Sequence, residues 1–245
     1  MAGGSPSVTD DTYGDEHDVP PELLIPKILN MSLMDSADKY LTFLYDNFAN
    51  AADRLKLNGQ AEVTTNSNGE QVLRLTRAEG QVYGTAFNEE RVSLKDERSF
   101  STYFTFELSN GNGWADGIVF TVQNHSNSAG SKGGALGYGD IDKSVGIKFD
   151  TWKNDEHKDP SSNSIAILKN GVMSNPLKNK AVDSVNMDFK QGTTHVWIDY
   201  NGQTGVMEIR LSKNSTRPLE EELSYQFPAN ERLTQILGTE WVYVG

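Results

Sequence analysis

Short segments in which apolar and polar residues alternate follow one another along the chain from about Arg54 onward. In residues 100–106 every second position is phenylalanine or threonine, and side chains two residues apart on a strand point to the same side. Asn-Gly pairs at 68–69 and 201–202 separate further segments of this kind, and this pair is the strongest short signal for a β-hairpin. Strands of this length between Gly and Asn turns predict an all-β sandwich.

The first 45 residues do not follow this pattern. Residues 1–18 are rich in Gly, Ser and Asp, so we predict a disordered acidic tail. Residues 19–45 are interpreted as a linker or packed extension. They contain the apolar run Ile28–Met34 and then acidic capping residues that predict a short helix from about Ala37 to Tyr45. The β-domain is therefore expected to span residues 46–245.

Composition narrows the classes of partner. The chain has 245 residues and a formal net charge of −12, which argues against nucleic acid or an anionic membrane as a partner. It has no apolar stretch of the roughly 18 residues that a membrane-spanning helix needs, so no membrane insertion is expected. The absence of Cys excludes disulfides and thiolate metal sites. No signal peptide is visible in Met1–Asp18.

The segment Val145–Ile167 carries a set of oxygen donors. Ca²⁺ binds carboxylates, amide oxygens and backbone carbonyls. This segment offers the carboxylates of Asp150 and Asp159, the amide of Asn154 and the carbonyl of Trp152. A strand that ends at Asp150, followed by a loop that returns through Asp159, would bring the four donors around one point. The alternative interpretation is an ordinary acidic loop on an acidic protein.

Four motifs in the same order resemble those of the legume-type (L-type) lectins. FDTWKNDEHKDP at 149–160 resembles the metal loop of that family, and residues 99–123 resemble its core strands with the Ala-Asp-Gly turn. KGGALGYG at 132–139 resembles its glycine-rich loop at the sugar site, and TEWVYVG at 239–245 resembles the strand before its last one. The similarity covers residues 46–245. It implies a concanavalin-like jelly-roll sandwich behind a short N-terminal extension.

The resemblance also implies a carbohydrate site beside a calcium site. It places the binding carboxylate at Asp116, after a cis peptide bond from Ala115, and a backbone N–H donor at Gly134 or the neighbouring Gly133. It gives Asn154 two roles, with its side-chain oxygen on Ca²⁺ and its NH₂ group on the sugar.

An aromatic ring should pack on one face of the sugar. Tyr138 and Trp152 are the main candidates, and Trp114 beside the Ala-Asp turn is a third. His157 lies inside the metal loop, but a calcium site has little use for imidazole, so no role is expected for it.

Two positions depart from the plant members of the family. Those members bind a second, transition-metal ion through a Glu two residues before the shared Asp and a His that follows the Asp-Pro pair. This chain has Lys148 and Ser164 at the corresponding positions. Loss of an anionic ligand and an imidazole together should abolish the second site. Our hypothesis is that the Lys148 ammonium replaces the ion and offsets the charges of Asp150 and Asp159.

The resemblance leaves the last strand of the jelly roll unaccounted for. In the family, the strand like TEWVYVG leads into a further loop and one more strand, and here the sequence ends at Gly245. One explanation is that the chain is a fragment of a longer protein. The other is that a different segment completes the sheet, such as Ile28–Met34 or a strand from a neighbouring chain.

Taken together, these features favour a calcium-dependent carbohydrate-binding module over an enzyme. Divergence from the plant members suggests a bacterial surface or secreted protein. Such a protein would lie outside the cell and adhere to glycans on cell surfaces. Whether it also forms a homo-oligomer or contacts neighbouring domains is left open. The alternative is a structural or protein-binding adhesin module whose sugar site has decayed. A glycoside hydrolase on this fold needs two carboxylates at a defined separation, commonly in an ExDxxE run, and the chain has no such run.

Overall fold

The computed structural model describes residues 22–25, 29–34, 39–109, 114–131, 133–182 and 187–245. The acidic tail predicted for residues 1–18 lies outside these residues. No helix in the described part of the chain is both long and apolar enough to span a membrane.

Strands dominate the described residues, with one short α-helix, α1 (Leu233–Leu237), and four single-turn 3₁₀ segments at Ala51–Asp53, Lys95–Glu97, Gly133–Ala135 and Asp155–His157. The strands are β1 (Glu22–Ile25), β2 (Leu29–Met34), β3 (Lys39–Tyr45), β4 (Leu55–Gly59), β5 (Glu62–Thr65), β6 (Gln71–Thr76), β7 (Gly84–Asn88), β8 (Val92–Ser93), β9 (Ser99–Ser109), β10 (Gly117–Gln123), β11 (Ser144–Asp150), β12 (Ser164–Lys169), β13 (Lys178–Ala181), β14 (Thr194–Asn201), β15 (Val206–Ser212), β16 (Leu223–Gln226) and β17 (Trp241–Val244).

A nine-stranded antiparallel sheet, called here the larger sheet, is built around the long strand β9. Its main order is β16-β15-β14-β9-β1-β6-β5. On the side of β9 away from β14, β1 and β2 lie end to end: β1 pairs with residues 107–109 and β2 with residues 99–104. β2 also pairs with β3, so the segment before residue 46 supplies three strands of this sheet.

The smaller sheet has six strands in the order β13-β12-β11-β10-β17-β8, and β4 and β7 form a separate pair. Phenylalanine side chains from both sheets meet between the layers. Phe104 of β9 stacks on Phe120 of β10 with ring centroids 5.8 Å apart, and Phe106 contacts Phe149 of β11 at 5.6 Å. The all-β sandwich predicted from the sequence is confirmed, and so are the hairpins at both Asn-Gly pairs.

The predicted helix from Ala37 to Tyr45 is wrong, because Lys39–Tyr45 forms β3. Phe43 and Tyr45 are buried in the core while Leu44 between them is exposed, which is the two-residue period of a strand. Aromatic residues at alternate positions also favour a strand over a helix. The suggestion that Ile28–Met34 completes the sheet is confirmed for Leu29–Met34, and Ile28 lies outside the described residues.

A second, smaller apolar cluster lies on the opposite face of the smaller sheet from the main core. It packs residues 129, 138 and 141 against β12, and its buried members are Phe87, Ala129, Tyr138, Ile141, Ala166, Leu168 and Met173. This cluster anchors the glycine-rich loop beside the ends of β10 and β11.

Candidate functional site

Three loops meet where β10 begins and β11 ends. Gly117, the first residue of β10, pairs with Asp150, the last residue of β11. The backbone N–H of Thr151 donates to the Asp116 carbonyl at 2.9 Å, and the Thr151 hydroxyl donates to the Trp114 carbonyl. Antiparallel pairing therefore places the Asp116 turn directly against the start of the metal loop.

The Asp116 turn has an unusual backbone. The peptide bond between Ala115 and Asp116 is cis, as the resemblance implied. Gly117 has a φ of +138°, and a Cβ at this position would overlap the Phe149 carbonyl. Only glycine fits this close approach, so the local packing requires the glycine of the Ala-Asp-Gly motif.

Lys148 lies between the two acidic residues of the metal loop. Its side chain is 1% exposed, and its Nζ lies 2.6 Å from Oδ2 of Asp150 and forms a second ion pair with Oδ1 of Asp159. Both carboxylates are buried as well. We call these three residues the Lys148 cluster. It contains two carboxylates and one ammonium, so its formal charge is negative.

The remaining carboxylate oxygens of the cluster fix the shape of the loop. Oδ1 of Asp150 accepts from the Trp152 N–H at 2.8 Å, and Oδ2 of Asp159 accepts from the Asn154 N–H at 3.0 Å. The Asn154 carbonyl in turn accepts from the His157 N–H at 3.1 Å. The predicted metal ligands are thus connected to one another through Lys148 and the loop backbone.

The four oxygen donors predicted from the sequence, in Asp150, Trp152, Asn154 and Asp159, suit calcium chemically, and the residues beside them do not suit a transition metal. Two carboxylates, an amide and a carbonyl are hard oxygen donors of the kind that Ca²⁺ prefers. At the two positions that the resemblance assigns to a transition-metal ion, this chain has the Lys148 ammonium and the Ser164 hydroxyl instead of a carboxylate and an imidazole. No group of three or more His, Cys, Asp or Glu residues that could hold a metal occurs in the described part of the chain.

Burial perturbs the ionisation of Asp150 and Asp116. Burial raises the pKa of Asp150 to about 7; the neighbouring Lys148 acts against this shift and Asp159 adds to it. Burial also raises the pKa of Asp116, while the nearby His157, and then Lys148, act to lower it. Each carboxylate is therefore costly to keep charged in the protein alone.

The carboxylate of Asp116 is available to a ligand. The residue is half-buried, and its side chain has no hydrogen-bond partner among the residues that the structure describes. Because the residue is only half-buried, water or a ligand can reach this carboxylate. The absence of a partner in the described structure distinguishes Asp116 from the two acidic residues of the Lys148 cluster.

His157 is the functional candidate that the sequence reasoning missed. A Cβ built on Gly134 would meet only the His157 ring, with Cε1 3.8 Å away, so the glycine-rich loop faces this imidazole across open space. The Nδ1 atom of His157 is buried without a partner in the described structure. Its electrostatic effect on Asp116 places it near that carboxylate too. The sequence signal that could have identified His157 is its position in the metal loop between Asn154 and Asp159.

The aromatic candidates differ in exposure. Tyr138 is 1% exposed, its hydroxyl accepts from the Ser144 Oγ at 2.9 Å, and burial raises its pKa to about 12. Its ring fills the space above Gly146 in the second apolar cluster, so the prediction that it stacks on a sugar is wrong. Trp152 is 49% exposed in the metal loop, while Trp114 is half-buried against the main core. Trp152 is the ring that remains accessible.

Two antiparallel sheets with this site at one end define a concanavalin-like jelly roll, as in solved legume lectins. A family model of the legume lectin domain matches residues 40–245, and the chain belongs to that family. The winged bean acidic lectin, solved with methyl-α-D-galactose, is 26% identical with a TM-score of 0.60, over 78% of this chain and 82% of that one.

Curated relatives are plant proteins of two kinds. The L-type lectin-domain containing receptor kinase VIII.1 of Arabidopsis thaliana is 32% identical over 75% of this chain and 27% of its own length. The galactose-binding lectin of Arachis hypogaea is 30% identical over 74% of this chain and 68% of its own. This chain spans about a third or less of the length of the receptor kinases VIII.1, VIII.2 and IV.2. The expectation of a bacterial protein is not supported, since sequence divergence alone does not indicate the source.

Proposed function

We propose that this domain binds carbohydrate at a site formed by Asp116, Gly134, Asn154, Trp152 and His157. The observation that carries the proposal is the half-buried Asp116 carboxylate, which has no partner among the described residues and lies near an imidazole that also lacks one on Nδ1. The Asp116 carboxylate is thus free to accept hydrogen bonds from a ligand, and the His157 Nδ1 is a buried polar atom of the kind that ordinarily has a partner.

The site offers the groups that sugar recognition needs. The Asp116 carboxylate accepts charge-assisted hydrogen bonds from ring hydroxyls. The Gly134 backbone, where a Cβ would meet only the His157 ring among the described residues, supplies an N–H donor. The exposed Trp152 ring offers an apolar surface to the sugar's C–H groups. Two relatives are galactose binders by name or by bound ligand, so a galactoside is the first probe to use.

We propose that Ca²⁺ supports this site through the oxygens of Asp150, Asp159 and Asn154 and the carbonyl of Trp152. The excess negative charge of the Lys148 cluster favours a cation there, and the same loop carries Trp152 and His157 of the sugar site. When bound, the ion would hold the loop through these oxygens. Calcium binding to the folded state alone would add about 2.7 kcal/mol of stability at a hundredfold excess over Kd.

A glycan array and isothermal titration with galactosides, each with Ca²⁺ and with EDTA, test the proposal. We expect binding that EDTA weakens, a thermal midpoint that Ca²⁺ raises, and no binding by Asp116→Ala. Ligand binding that survives Asp116→Ala would mean that another surface is used. An unchanged thermal midpoint in EDTA would argue against the calcium assignment alone.

A second candidate is a structural or protein-binding module on the lectin fold. Lys148 favours it, because its ammonium already neutralises one of the two carboxylates that would attract Ca²⁺. If this candidate is right, the domain folds but binds neither galactosides nor Ca²⁺ in the same experiments.

We further propose an extracellular or cell-surface location with cell-surface glycans as partners. L-type lectin-domain containing receptor kinases are named among the relatives, which supports this location. Staining of intact cells with the labelled domain, with and without competing galactoside, checks whether such glycans are bound.

A further inference from the structure

We propose that the Lys148 ammonium takes the place of a transition-metal ion, which makes the metal loop a site for one ion at most. The inference concerns the site of the proposed function, but it does not depend on whether a sugar binds. Its test reads metal content, so it fails or succeeds separately from carbohydrate binding.

The geometry of the Lys148 cluster carries the inference. A lysine with 1% of its side chain exposed reaches one oxygen of Asp150 and one of Asp159, and both of these side chains are only 2% exposed. An isolated buried ammonium is unfavourable, and pairing with two carboxylates compensates its desolvation. A metal ion bridging the same two oxygens would have to displace the ammonium from a position that is already filled.

Charge supports the same conclusion. Lysine in place of glutamate adds two positive charges to the site, which equals the charge of the divalent ion that would be lost. The total charge around Asp150 and Asp159 is therefore the same with the lysine as with a glutamate and a divalent transition metal. The exchange keeps the electrostatic balance of the loop while removing its need for the second ion.

Ser164 is the second position where this chain lacks the metal ligand that the resemblance implies. It lies on β12 directly opposite Asp150, so the two side chains project to the same face of the smaller sheet. Its hydroxyl is buried and has no partner in the described structure. A histidine at this position would project towards Asp150, where the serine side chain is too short to act as a third ligand.

The experiment that tests the inference restores the two missing metal ligands by replacing Lys148 and Ser164. Wild type, Lys148→Glu/Ser164→His and a matched control, Lys153→Glu/Ser162→His, are dialysed against Mn²⁺ and Ca²⁺ and analysed by mass spectrometry for bound metal. The control makes the same two changes at exposed positions of the same loop region. We expect no stoichiometric Mn²⁺ in wild type or control, and one Mn²⁺ per chain in the restored variant, with a thermal midpoint that now depends on Mn²⁺.

Stoichiometric Mn²⁺ in wild type would overturn the inference. So would a folded Lys148→Glu/Ser164→His variant that binds no Mn²⁺, because the lysine would then not be what excludes the ion. If the restored variant does not fold, the single variant Lys148→Gln decides the question. Its thermal midpoint should fall in metal-free buffer and recover with added divalent ion, and a midpoint equal to wild type would contradict the role of the ammonium.

Discussion

Two charged clusters, one on each sheet of the sandwich, differ in burial and in charge balance. The Lys148 cluster has side chains that are 1–2% exposed. On the outer face of the larger sheet, Asp199 pairs with Arg210 at 3.2 Å and with Arg217 at 2.6 Å, and these side chains are 24%, 9% and 44% exposed. We call the second group the Asp199 cluster.

The clusters also differ in how completely they are paired. In the Asp199 cluster, Arg210 also reaches Glu208, and Ser101 donates to Asp199, so two carboxylates face two guanidinium groups. In the Lys148 cluster two carboxylates share one ammonium away from water. Coulomb interactions are stronger where water is excluded, so we expect the buried imbalance, and not the exposed cluster, to favour a cation. The experiments below test this difference, beginning with the largest effect.

Removal of the buried ammonium should cause the largest loss of stability. Lys148→Met leaves Asp150 and Asp159 buried without a cation, and breaking a buried pair in this way costs about 3–5 kcal/mol. Chemical unfolding in EDTA measures the loss, and Ca²⁺ should restore part of it. The control Lys153→Met removes an exposed lysine of the same loop and should leave stability unchanged. Equal effects of the two variants would contradict the comparison.

Substitutions in the sugar site should separate binding from stability. Asp116→Ala should abolish glycan binding and leave the thermal midpoint nearly unchanged, because its carboxylate has no partner to lose. Asn154→Ala should abolish binding and also lower the midpoint in Ca²⁺, because it removes a proposed calcium ligand. Titration calorimetry measures sugar binding by both variants, and thermal melting shows which variant loses more stability. A greater loss of stability in Asp116→Ala than in Asn154→Ala would contradict the assignment of Asn154 as a calcium ligand.

His157→Ala should weaken sugar binding about tenfold, the value of one lost hydrogen bond in a partly desolvated site. His125→Ala is the matched control, since His125 is an exposed histidine paired with Asp142 outside the site. Titration calorimetry with the galactoside compares the two variants. If His157→Ala keeps the full affinity for the galactoside, His157 does not contact the sugar and only packs beside the site.

Arg217→Ala should have a small effect, within about 1 kcal/mol, because an exposed ion pair gains little in water and is screened by salt. Asp199 keeps Arg210 and Ser101 as partners in this variant. Unfolding at low and high salt measures the effect. A loss as large as that of Lys148→Met would show that exposure does not separate the two clusters.

His195, also on the outer face, should give a weak pH dependence. Burial, with Lys213 nearby, lowers its pKa below the ordinary 6.5. The unfolded chain then takes up a proton before the folded one, so the free energy of unfolding falls as pH drops below about 6.5. His195→Gln should flatten this part of the stability curve. An identical slope in the variant would exclude the imidazole as its cause.

The sequence predicted those parts of the site that depend on local spacing. Asp150, Asn154 and Asp159 lie on one short loop, and Asp116 precedes a glycine that the turn requires, so their neighbourhood follows from two strand ends. Tyr138 and His157 could not be judged this way. Their exposure depends on how the loop of residues 129–141 packs on the sheet, which is a long-range contact. The strand at Lys39–Tyr45 was missed because acidic capping residues outweighed a short two-residue period.

The position of β1 and β2 beside β9 has a consequence for where the domain can be cut. The family match begins at residue 40, but residues 22–24 and 29–34 pair with residues 107–109 and 99–104 on one side of β9. A shortened chain that begins at Asp46 would leave the N–H and C=O groups of a long central strand facing water. Such an open edge pairs readily with other chains. We therefore expect the strands ahead of the recognised domain to limit self-association by covering part of this edge.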